Sequence, residues 1–169
     1  IQNYLTILEQ TYTAIPVHSY AKNLGNELKK SKKYYLYDIG MRNMLIKDFS
    51  KPEDRDDAGV LYETFILLEI IPQLLPNMEI RFWRTKYGQE IDFIILKNRK
   101  PYCIEVKSTV KTTEVPKNII TFIKAYPETQ CVIIPNRSVA KKVAYQNIPV
   151  VFCRHEDMEK VFKKHVLES

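Results

Sequence analysis

Residues 90–107, EIDFIILKNRKPYCIEVK, constrain the fold more than any other stretch of the sequence. Two apolar runs, residues 90–96 and 101–107, are rich in Ile, Phe, Tyr and Val, and a short polar connection separates them. Side chains of these kinds favour strands, while the asparagine and proline at the connection favour a turn. The stretch therefore predicts a β-hairpin with a loop of either two or four residues.

This hairpin would bring charged side chains together. Counting back from the loop, Leu96 would lie opposite Pro101. Asp92 would then lie opposite Glu105, and Glu90 opposite Lys107. Because strand side chains alternate between faces, the four charged residues would project from one side of the sheet. Two opposed carboxylates repel unless a positive charge lies between them, and a divalent cation or the Lys107 ammonium could supply it. The alternative is a solvent-facing strand pair in which Glu90 and Lys107 form an ordinary ion pair.

Asp92 and Glu105 offer hard oxygen ligands, which suit Mg²⁺ or Mn²⁺ better than Zn²⁺. Mg²⁺ takes one or two protein carboxylates together with waters and phosphate oxygens, and an open pair of acids provides such a set. Lys107 lies two residues beyond Glu105 in the sequence. From there its ammonium could hold a water or neutralise charge on a phosphate. These residue types together suit metal-assisted hydrolysis of a phosphodiester.

An apolar helix is predicted ahead of the hairpin, at residues 58–71. Asp56 or Asp57 could cap its start. The helix is apolar nearly all round, which predicts burial, yet Glu63 lies in its middle. A buried carboxylate is costly unless it is paired, protonated or bound to a metal. Glu63 is therefore a candidate site residue, and the alternative is a side chain that reaches solvent or a nearby lysine.

The other segments predict further helices and strands. Helices are predicted at residues 1–13, 19–30, 41–49, 115–126, 138–145 and 156–166, and strands at residues 34–37, 79–84, 130–135 and 149–153. This order favours an α/β fold with a mixed central sheet flanked by helices. Two short helices, a basic turn and an extended segment resemble the end of a winged-helix unit. The polar residues 50–57 are the predicted boundary between this segment, residues 1–50, and a domain at residues 51–169.

The composition favours an anionic partner. The 169 residues include 26 Lys plus Arg against 20 Asp plus Glu, a formal net charge of +6. Such an excess suits nucleic acid, and DNA is the partner we expect. Four residues are candidates for phosphate contacts: Lys32, Lys33, Arg84 and Lys86. The alternative for each is a solvated surface charge.

Three cysteines, each in an apolar run, have no metal-binding spacing: Cys103, Cys131 and Cys153. We expect buried thiols in a reducing, cytoplasmic setting. No apolar run approaches the roughly 18–20 residues of a membrane span, so we expect no membrane partner. Because the sequence begins without Met and inside a predicted helix, we expect a fragment of a longer polypeptide.

Four longer motifs occur in order: KKYYLYDIGMRNML, GVLYETFILLEI, FWRTKYGQEIDFII and YCIEVKST. With Asp92 and the triplet Glu105-Val106-Lys107, they resemble the PD-(D/E)xK nuclease superfamily. More specifically, they resemble the C-terminal nuclease-like domain of unknown function that follows the ATPase module of a prokaryotic AAA-type ATPase family. The resemblance implies a restriction-endonuclease-like core in residues 51–169. It assigns the core motif to Glu63, Asp92, Glu105 and Lys107, with Glu90 as the residue that commonly precedes the aspartate.

The resemblance implies a Mg²⁺- or Mn²⁺-dependent DNA phosphodiesterase that works with an ATPase module. No GxxxxGK[ST] motif is present, so the ATPase would lie outside this sequence. A Gln and Tyr pair, found after the lysine in some superfamily nucleases, is not evident at residues 115–126. Two other functions therefore stay open. One is a catalytically silent module that binds DNA or protein for the ATPase, and the other is a protein-interaction domain with no nucleic acid.

Overall fold

The structure is a computed structural model that describes residues 1–21 and 32–169. Within these ranges eight strands form one mixed sheet. The strands are β1 Ala14–Ser19, β2 Lys33–Leu36, β3 Met78–Arg84, β4 Glu90–Lys97, β5 Lys100–Ile104, β6 Cys131–Asn136, β7 Lys141–Tyr145 and β8 Ile148–Arg154. Their order across the sheet is β2-β1-β3-β4-β5-β6-β8-β7.

Five α-helices accompany the sheet in the described ranges: α1 Gln2–Gln10, α2 Ile39–Ile46, α3 Ala58–Ile70, α4 Lys117–Ala125 and α5 Met158–Phe162. Short 3-10 turns occupy Pro52–Asp54, Ile71–Gln73 and His155–Asp157, and a π-helical stretch, Lys163–Leu167, continues α5. The predicted α/β arrangement of a mixed sheet flanked by helices is confirmed. The helix predicted at residues 19–30 falls mainly outside the described residues.

Helices cover both faces of the sheet, and this explains why β4 is buried over most of its length and β6 over all of it. On one face α3 and α5 contribute to a core that includes Phe93 and Ile104. On the other face α4 contributes to a second core that includes Ile91 and Trp83. The strands that carry the predicted site thus run between two buried layers.

The first part of the chain joins the same sheet. β1 pairs antiparallel with β2 and parallel with β3, through His18–Arg81 and Ser19–Phe82. Residues 14–19, which the sequence did not predict as a strand, therefore connect β2 to the rest of the sheet. The winged-helix-like assignment of residues 1–50 stays a prediction, but two strands of that segment extend the sheet formed by the later residues.

The helix predicted at residues 138–145 is wrong, because these residues contain β7. β7 pairs antiparallel with β8, and Val143 lies opposite Val150. Gln146 and Asn147 join the two strands, and both have positive φ, +48° and +68°. Two such residues form the tight turn that a hairpin needs. The lysines of β7 are exposed on an edge strand, where charge opposes unwanted strand pairing.

A network of charged and polar groups connects α2 to the start of α3. We call it the Arg55 cluster; its members are Arg42, Asn43, Asp48, Arg55 and Asp57. The Arg55 guanidinium donates to both carboxylate oxygens of Asp57, each at 2.8 Å. Asp57 is the N-cap residue of α3, but its side chain makes no capping hydrogen bond. The Asp57 carboxylate pairs with the Arg55 guanidinium and does not cap the helix as predicted. A two-point contact between charged groups is stronger than a single capping hydrogen bond.

Cys103, Cys131 and Cys153 are all buried and unpaired, as the sequence predicted. None of the helices in residues 1–21 and 32–169 has both the length and the apolar character needed to span a bilayer.

Candidate functional site

The predicted hairpin is present and keeps its predicted register. β4 and β5 pair antiparallel, with Leu96 opposite Pro101. The loop consists of Asn98 and Arg99, whose φ angles of +52° and +66° are those of a type I′ turn. This turn matches the twist of the strands and therefore fixes the register in which the acidic residues are presented.

The β4–β5 ladder ends at Phe93 and Ile104, one pair before the expected pairing of Asp92 with Glu105. Beyond this point Glu105 and Lys107 donate their backbone N–H groups to carbonyl oxygens of β6, those of Ile133 and Pro135, each at 3.0 Å. The chain thus leaves β4 while it stays bonded to β6. This separation opens a gap between the strands at the level of the carboxylates.

Asp92 lies at an irregularity in β4. The pairing of β3 with β4 shifts between Arg81 and Trp83, where β4 has one extra residue. Such a bulge re-aims side chains and is often found beside functional sites. Here the Oδ2 atom of Asp92 accepts a hydrogen bond from the backbone N–H of Val106, at 2.8 Å. The carboxylate is therefore held across the gap, against the strand that carries Glu105.

The environment of Asp92 favours its neutral form. Burial is the main reason that its pKa lies well above the ordinary value for an aspartate, and the nearby carboxylates of Glu105 and Glu63 raise it further. The N–H of Val106 and the ammonium of Lys33 act in the opposite direction and do not overcome these effects. A cation placed beside Asp92 would remove most of the cost of its charge.

Glu63 projects from α3 into the same region. Its Oε2 accepts a hydrogen bond from the Tyr35 hydroxyl at 3.2 Å, and the Lys33 ammonium lies 3.9 Å from the same atom. Burial is the main cause that raises the pKa of Glu63. The Lys33 ammonium and the Tyr35 hydroxyl act to lower it, the carboxylates of Glu90 and Glu105 act to raise it, and the pKa stays above the ordinary value. Glu63 therefore lies near the hairpin carboxylates and contacts Tyr35 and Lys33, and it is not an isolated side chain in solvent.

Lys107 contacts Glu105 directly. Its Nζ lies 2.6 Å from Oε1 of Glu105, and 43% of the lysine side chain stays exposed. Burial acts to lower the pKa of Lys107, but the Glu105 carboxylate, with smaller effects from Asp92 and Glu63, leaves that pKa raised. Lys107 therefore carries its proton at neutral pH and presents it beside two buried acids.

The structure therefore brings together all four residues of the predicted core motif. We use the name carboxylate cluster for Glu63, Glu90, Asp92 and Glu105 with their lysines Lys33 and Lys107. Glu90 does not pair with Lys107 as predicted; it contacts Lys33 and Arg84. This difference follows from the end of the ladder, since Lys107 has already turned toward β6.

Two residues of β2 also belong to the site: Tyr35, which the sequence did not indicate, and Lys33, which has a different role from the predicted one. The sequence predicted Lys33 as a phosphate contact, whereas the structure places its ammonium against Glu90 and near Glu63. Tyr35 is buried, and burial raises the pKa of its phenol, so it stays a hydrogen-bond donor to Glu63. The spacing of two residues on a strand, which puts Lys33 and Tyr35 on one face, was the available signal.

The other predicted phosphate contacts lie outside this group or at its rim. Arg84 is an exposed partner of Glu90. Lys86 is exposed, and its Nζ lies 4.9 Å from the centre of the Tyr87 ring. Lys32 pairs with Glu9 at 3.0 Å. Their contact with DNA stays a prediction.

His155 supports the backbone near Lys107. Its Nε2 lies 3.0 Å from the carbonyl oxygen of Lys107, and its ring packs on Tyr62 with centroids 4.6 Å apart. Burial lowers the pKa of His155, so the neutral ring is favoured. Tyr62 precedes Glu63 on α3, and the pair therefore links that helix to the strand that carries Lys107.

Asp92 and Glu105 offer hard carboxylate oxygens, the ligand type that divalent cations such as Mg²⁺ prefer. Oε2 of Glu105 is buried, and among the described residues it has no hydrogen-bond partner. No set of three His, Cys, Asp or Glu side chains within residues 1–21 and 32–169 is grouped for metal binding. Mg²⁺ does not require such a set, since one or two carboxylates with water and phosphate oxygens suffice.

Sequence comparisons place this site within a family. Residues 58–153 match the model of a domain of unknown function, DUF4143, and residues 1–52 match that of a second domain of unknown function, DUF8612. Uncharacterized proteins of Mycobacterium bovis and Mycobacterium tuberculosis are each 28% identical to the chain over 110 residues. That alignment covers 64% of this chain and 25% of each relative, so the chain spans about a quarter of their length. The match over residues 58–153 includes Glu63, Asp92, Glu105 and Lys107, and the chain belongs to the DUF4143 family of domains.

Proposed function

We propose that this domain is a metal-dependent nuclease that hydrolyses phosphodiester bonds in DNA. The observation that supports it most is the pairing of two buried, mutually repelling carboxylates, Asp92 and Glu105, with a protonated lysine beside them. A fold gains nothing from such an arrangement, because burial of like charges is unfavourable. Perturbed acids of this kind are typical of functional sites.

We also propose a restriction-endonuclease-like core of the PD-(D/E)xK type. The order of elements is consistent with it: the helix α3 with its glutamate, the antiparallel strands β3, β4 and β5, the helix α4 and the parallel strand β6. Asp92 is on the second strand of this group, and the Glu105-Val106-Lys107 triplet follows the third. This is the layout that the sequence resemblance implies.

Each residue has a role that its surroundings support. Val106 fixes the Asp92 carboxylate through its N–H, and Tyr35 fixes that of Glu63. Lys107 keeps its proton and can neutralise negative charge that develops on the phosphate. When bound, Mg²⁺ or Mn²⁺ would be held by Asp92 and Glu105 and would supply Lewis-acid polarisation of the phosphodiester and activation of water.

The partners in this proposal are DNA and an ATPase module. A formal net charge of +6 suits a polyanion. The motif resemblance suggests that an AAA-type ATPase precedes such a domain. The relatives extend far beyond the aligned region, and this length leaves room for such a module.

A direct test uses the purified chain with linear, nicked and branched DNA in the presence of Mg²⁺ or Mn²⁺. We expect cleavage that stops on chelation and that Lys107→Met and Glu105→Gln abolish. Lys100→Met is the matched control, because Lys100 is an exposed lysine of the same hairpin. No cleavage of any of these substrates by the unaltered chain, or equal cleavage by all variants, would contradict the proposal.

One observation favours a second candidate, a silent binding module. The ammonium of Lys107 is already engaged by Glu105 at 2.6 Å, as in an ordinary ion pair. In that case DNA would bind without cleavage, and affinity would fall steeply with salt because phosphate contacts release counterions. Affinity that does not respond to salt would argue against DNA and for a protein partner.

A further inference from the structure

The carboxylate cluster has two halves with different charge balance. In the first half, Glu105 pairs with the half-exposed Lys107, and Asp92 accepts a hydrogen bond from the Val106 N–H. In the second half, Glu63 and Glu90 share Lys33, whose ammonium contacts Oε1 of Glu90 and lies 3.9 Å from Oε2 of Glu63. The two halves therefore differ in where the positive charge is placed.

The second half already has its counter-charges. Only 23% of the Lys33 side chain is exposed, and its Nζ lies 5.4 Å from the centre of the Phe82 ring. Arg84 contacts the other carboxylate oxygen of Glu90, and Tyr35 donates to Glu63. By contrast, Oε2 of Glu105 in the first half has no partner among the described residues.

We propose that the Lys33 ammonium is a built-in counter-cation that occupies the place of a second divalent ion between Glu63 and Glu90. The site then takes a single Mg²⁺ or Mn²⁺, held by Asp92 and Glu105. Two-metal sites place their ions roughly 3.5–4 Å apart and need carboxylates for both. Here the second pair of carboxylates is neutralised by the protein itself. This inference rests on the proposed function, since it concerns the metal of the same site.

Lys33 and Tyr35 come from β2, which lies outside residues 58–153 that match the DUF4143 model. β2 reaches the site only because β1 joins it to β3. The number of ions is therefore set by the N-terminal segment, while the residues that hold the ion belong to the family core. This division gives the N-terminal segment a role in the chemistry of the site.

The test is calorimetric titration of the full 169-residue chain with Mn²⁺, which counts ions without any measure of activity. We expect one ion per chain for the unaltered protein. Lys33→Met should bind two, because Glu63 and Glu90 then lack their shared cation. The double variant Lys33→Met with Glu90→Gln should return to one, because a ligand of the second ion is gone.

Lys32→Met is the matched control. Lys32 is the preceding residue and is similarly buried, but its ammonium pairs with Glu9 at 3.0 Å and not with the cluster. It should still bind one ion, and circular dichroism should confirm that each variant is folded. If Lys33→Met does not fold, Lys33→Gln replaces it with the same expectation, and the count for the unaltered chain tests the inference by itself.

The outcomes separate this inference from the proposed function. Two ions in the unaltered chain, or one ion in a folded Lys33→Met variant, would overturn the role of Lys33 and leave metal-dependent cleavage intact. No bound ion in the unaltered chain would overturn both. Cleavage that fails while one ion still binds would count against the nuclease alone.

Discussion

Two clusters of charged residues in this domain have opposite electrostatic character. In the Arg55 cluster, the Arg55 side chain is only 1% exposed, and it donates to both oxygens of Asp57, to Oδ1 of Asn43 and to the carbonyl of Asp48. Hydrogen bonds from Arg55 hold the pKa of Asp57 far below its usual range. In the carboxylate cluster, burial and neighbouring acids hold the pKa of Asp92 well above it.

The difference indicates what each cluster is for. The Arg55 cluster balances two arginines against two aspartates and joins α2 to α3, which is a structural role. Its buried Nη1 atom of Arg42 makes no hydrogen bond among the described residues, but it lies 2.7 Å from the Asp57 carboxylate. The carboxylate cluster holds four acids against Lys33, Lys107 and the exposed Arg84, and among the described residues one buried oxygen of Glu105 has no hydrogen-bond partner. Internal balance explains a structural role, whereas an unmet charge indicates a ligand. The same carboxylate-to-amide change in each environment should therefore have different consequences.

Of the carboxylate-to-amide changes at Asp92, Asp57 and Glu79, the change Asp92→Asn should have the largest effect. We expect cleavage of DNA to fall by about 10²–10³-fold, the range found when a preorganised charge-stabilising group is removed. We expect no loss of stability, because the amide can still accept the Val106 N–H and no longer repels Glu105. Initial cleavage rates and thermal melting measure the two effects. A large fall in melting temperature would mean that Asp92 serves the fold and would weaken the contrast.

Asp57→Asn should show the reverse pattern. The change removes the nearer counter-charge of the buried Arg55 guanidinium, leaving Asp48 at 3.5 Å, and it weakens the contact with Arg42 at 2.7 Å. We expect the melting temperature to fall by several degrees, since breaking a buried pair is strongly unfavourable. Cleavage per folded molecule should be unchanged at a temperature where the variant is folded. An equal loss of activity would show that the two clusters are coupled.

The pH dependence of stability should also separate the clusters. Because the pKa values of Asp92 and Glu63 are raised, the folded protein takes up protons that the unfolded chain does not as pH falls from neutral toward ordinary carboxyl values. Stability should therefore rise on mild acidification. Because the pKa of Asp57 is lowered, its contribution is present above the ordinary aspartate value and is lost as pH falls below it.

Urea denaturation at a series of pH values tests this prediction. Asp92→Asn should flatten the gain on mild acidification, and Asp57→Asn should flatten the loss at lower pH. Mn²⁺ should stabilise the unaltered chain more at pH 8 than at pH 5.5, because ligands must lose their protons to bind a metal. Equal stabilisation at both values would contradict the assignment of Asp92, whose pKa is raised, as a ligand.

The hairpin was predictable because its determinants are local. Strand alternation and the two-residue turn at Asn98 and Arg99 fix the register within 18 residues, 90–107. The carboxylate cluster was predictable only in part, because some of its contacts join residues that are far apart in the sequence. Tyr35 and Glu63 are 28 residues apart in sequence and meet only because β1 places β2 in the sheet.

The helix predicted at residues 138–145, where the structure has the strand β7, is a second error. Residues 138–145 contain two lysines and two alanines that are compatible with a helix, and two valines and a tyrosine that favour a strand, so local preference does not decide between them. The pairing of β7 with β8 and the turn at Gln146 and Asn147 decide the outcome. Tertiary pairing overrides local preference in such short segments.

The smallest effect is expected for Glu79→Gln, which makes the same change in an exposed ion pair. Glu79 contacts Arg81 at 2.6 Å, yet its side chain is 59% exposed. Exposed pairs contribute little, and we expect a change within about 0.5 kcal/mol in the free energy of unfolding and none in cleavage. Denaturant titration of this variant beside Asp57→Asn and Asp92→Asn measures how burial alone changes the effect of one chemical substitution. If Glu79→Gln matched Asp57→Asn in stability, the loss of a carboxylate charge anywhere would explain both results, and burial would no longer distinguish the Arg55 cluster from the surface.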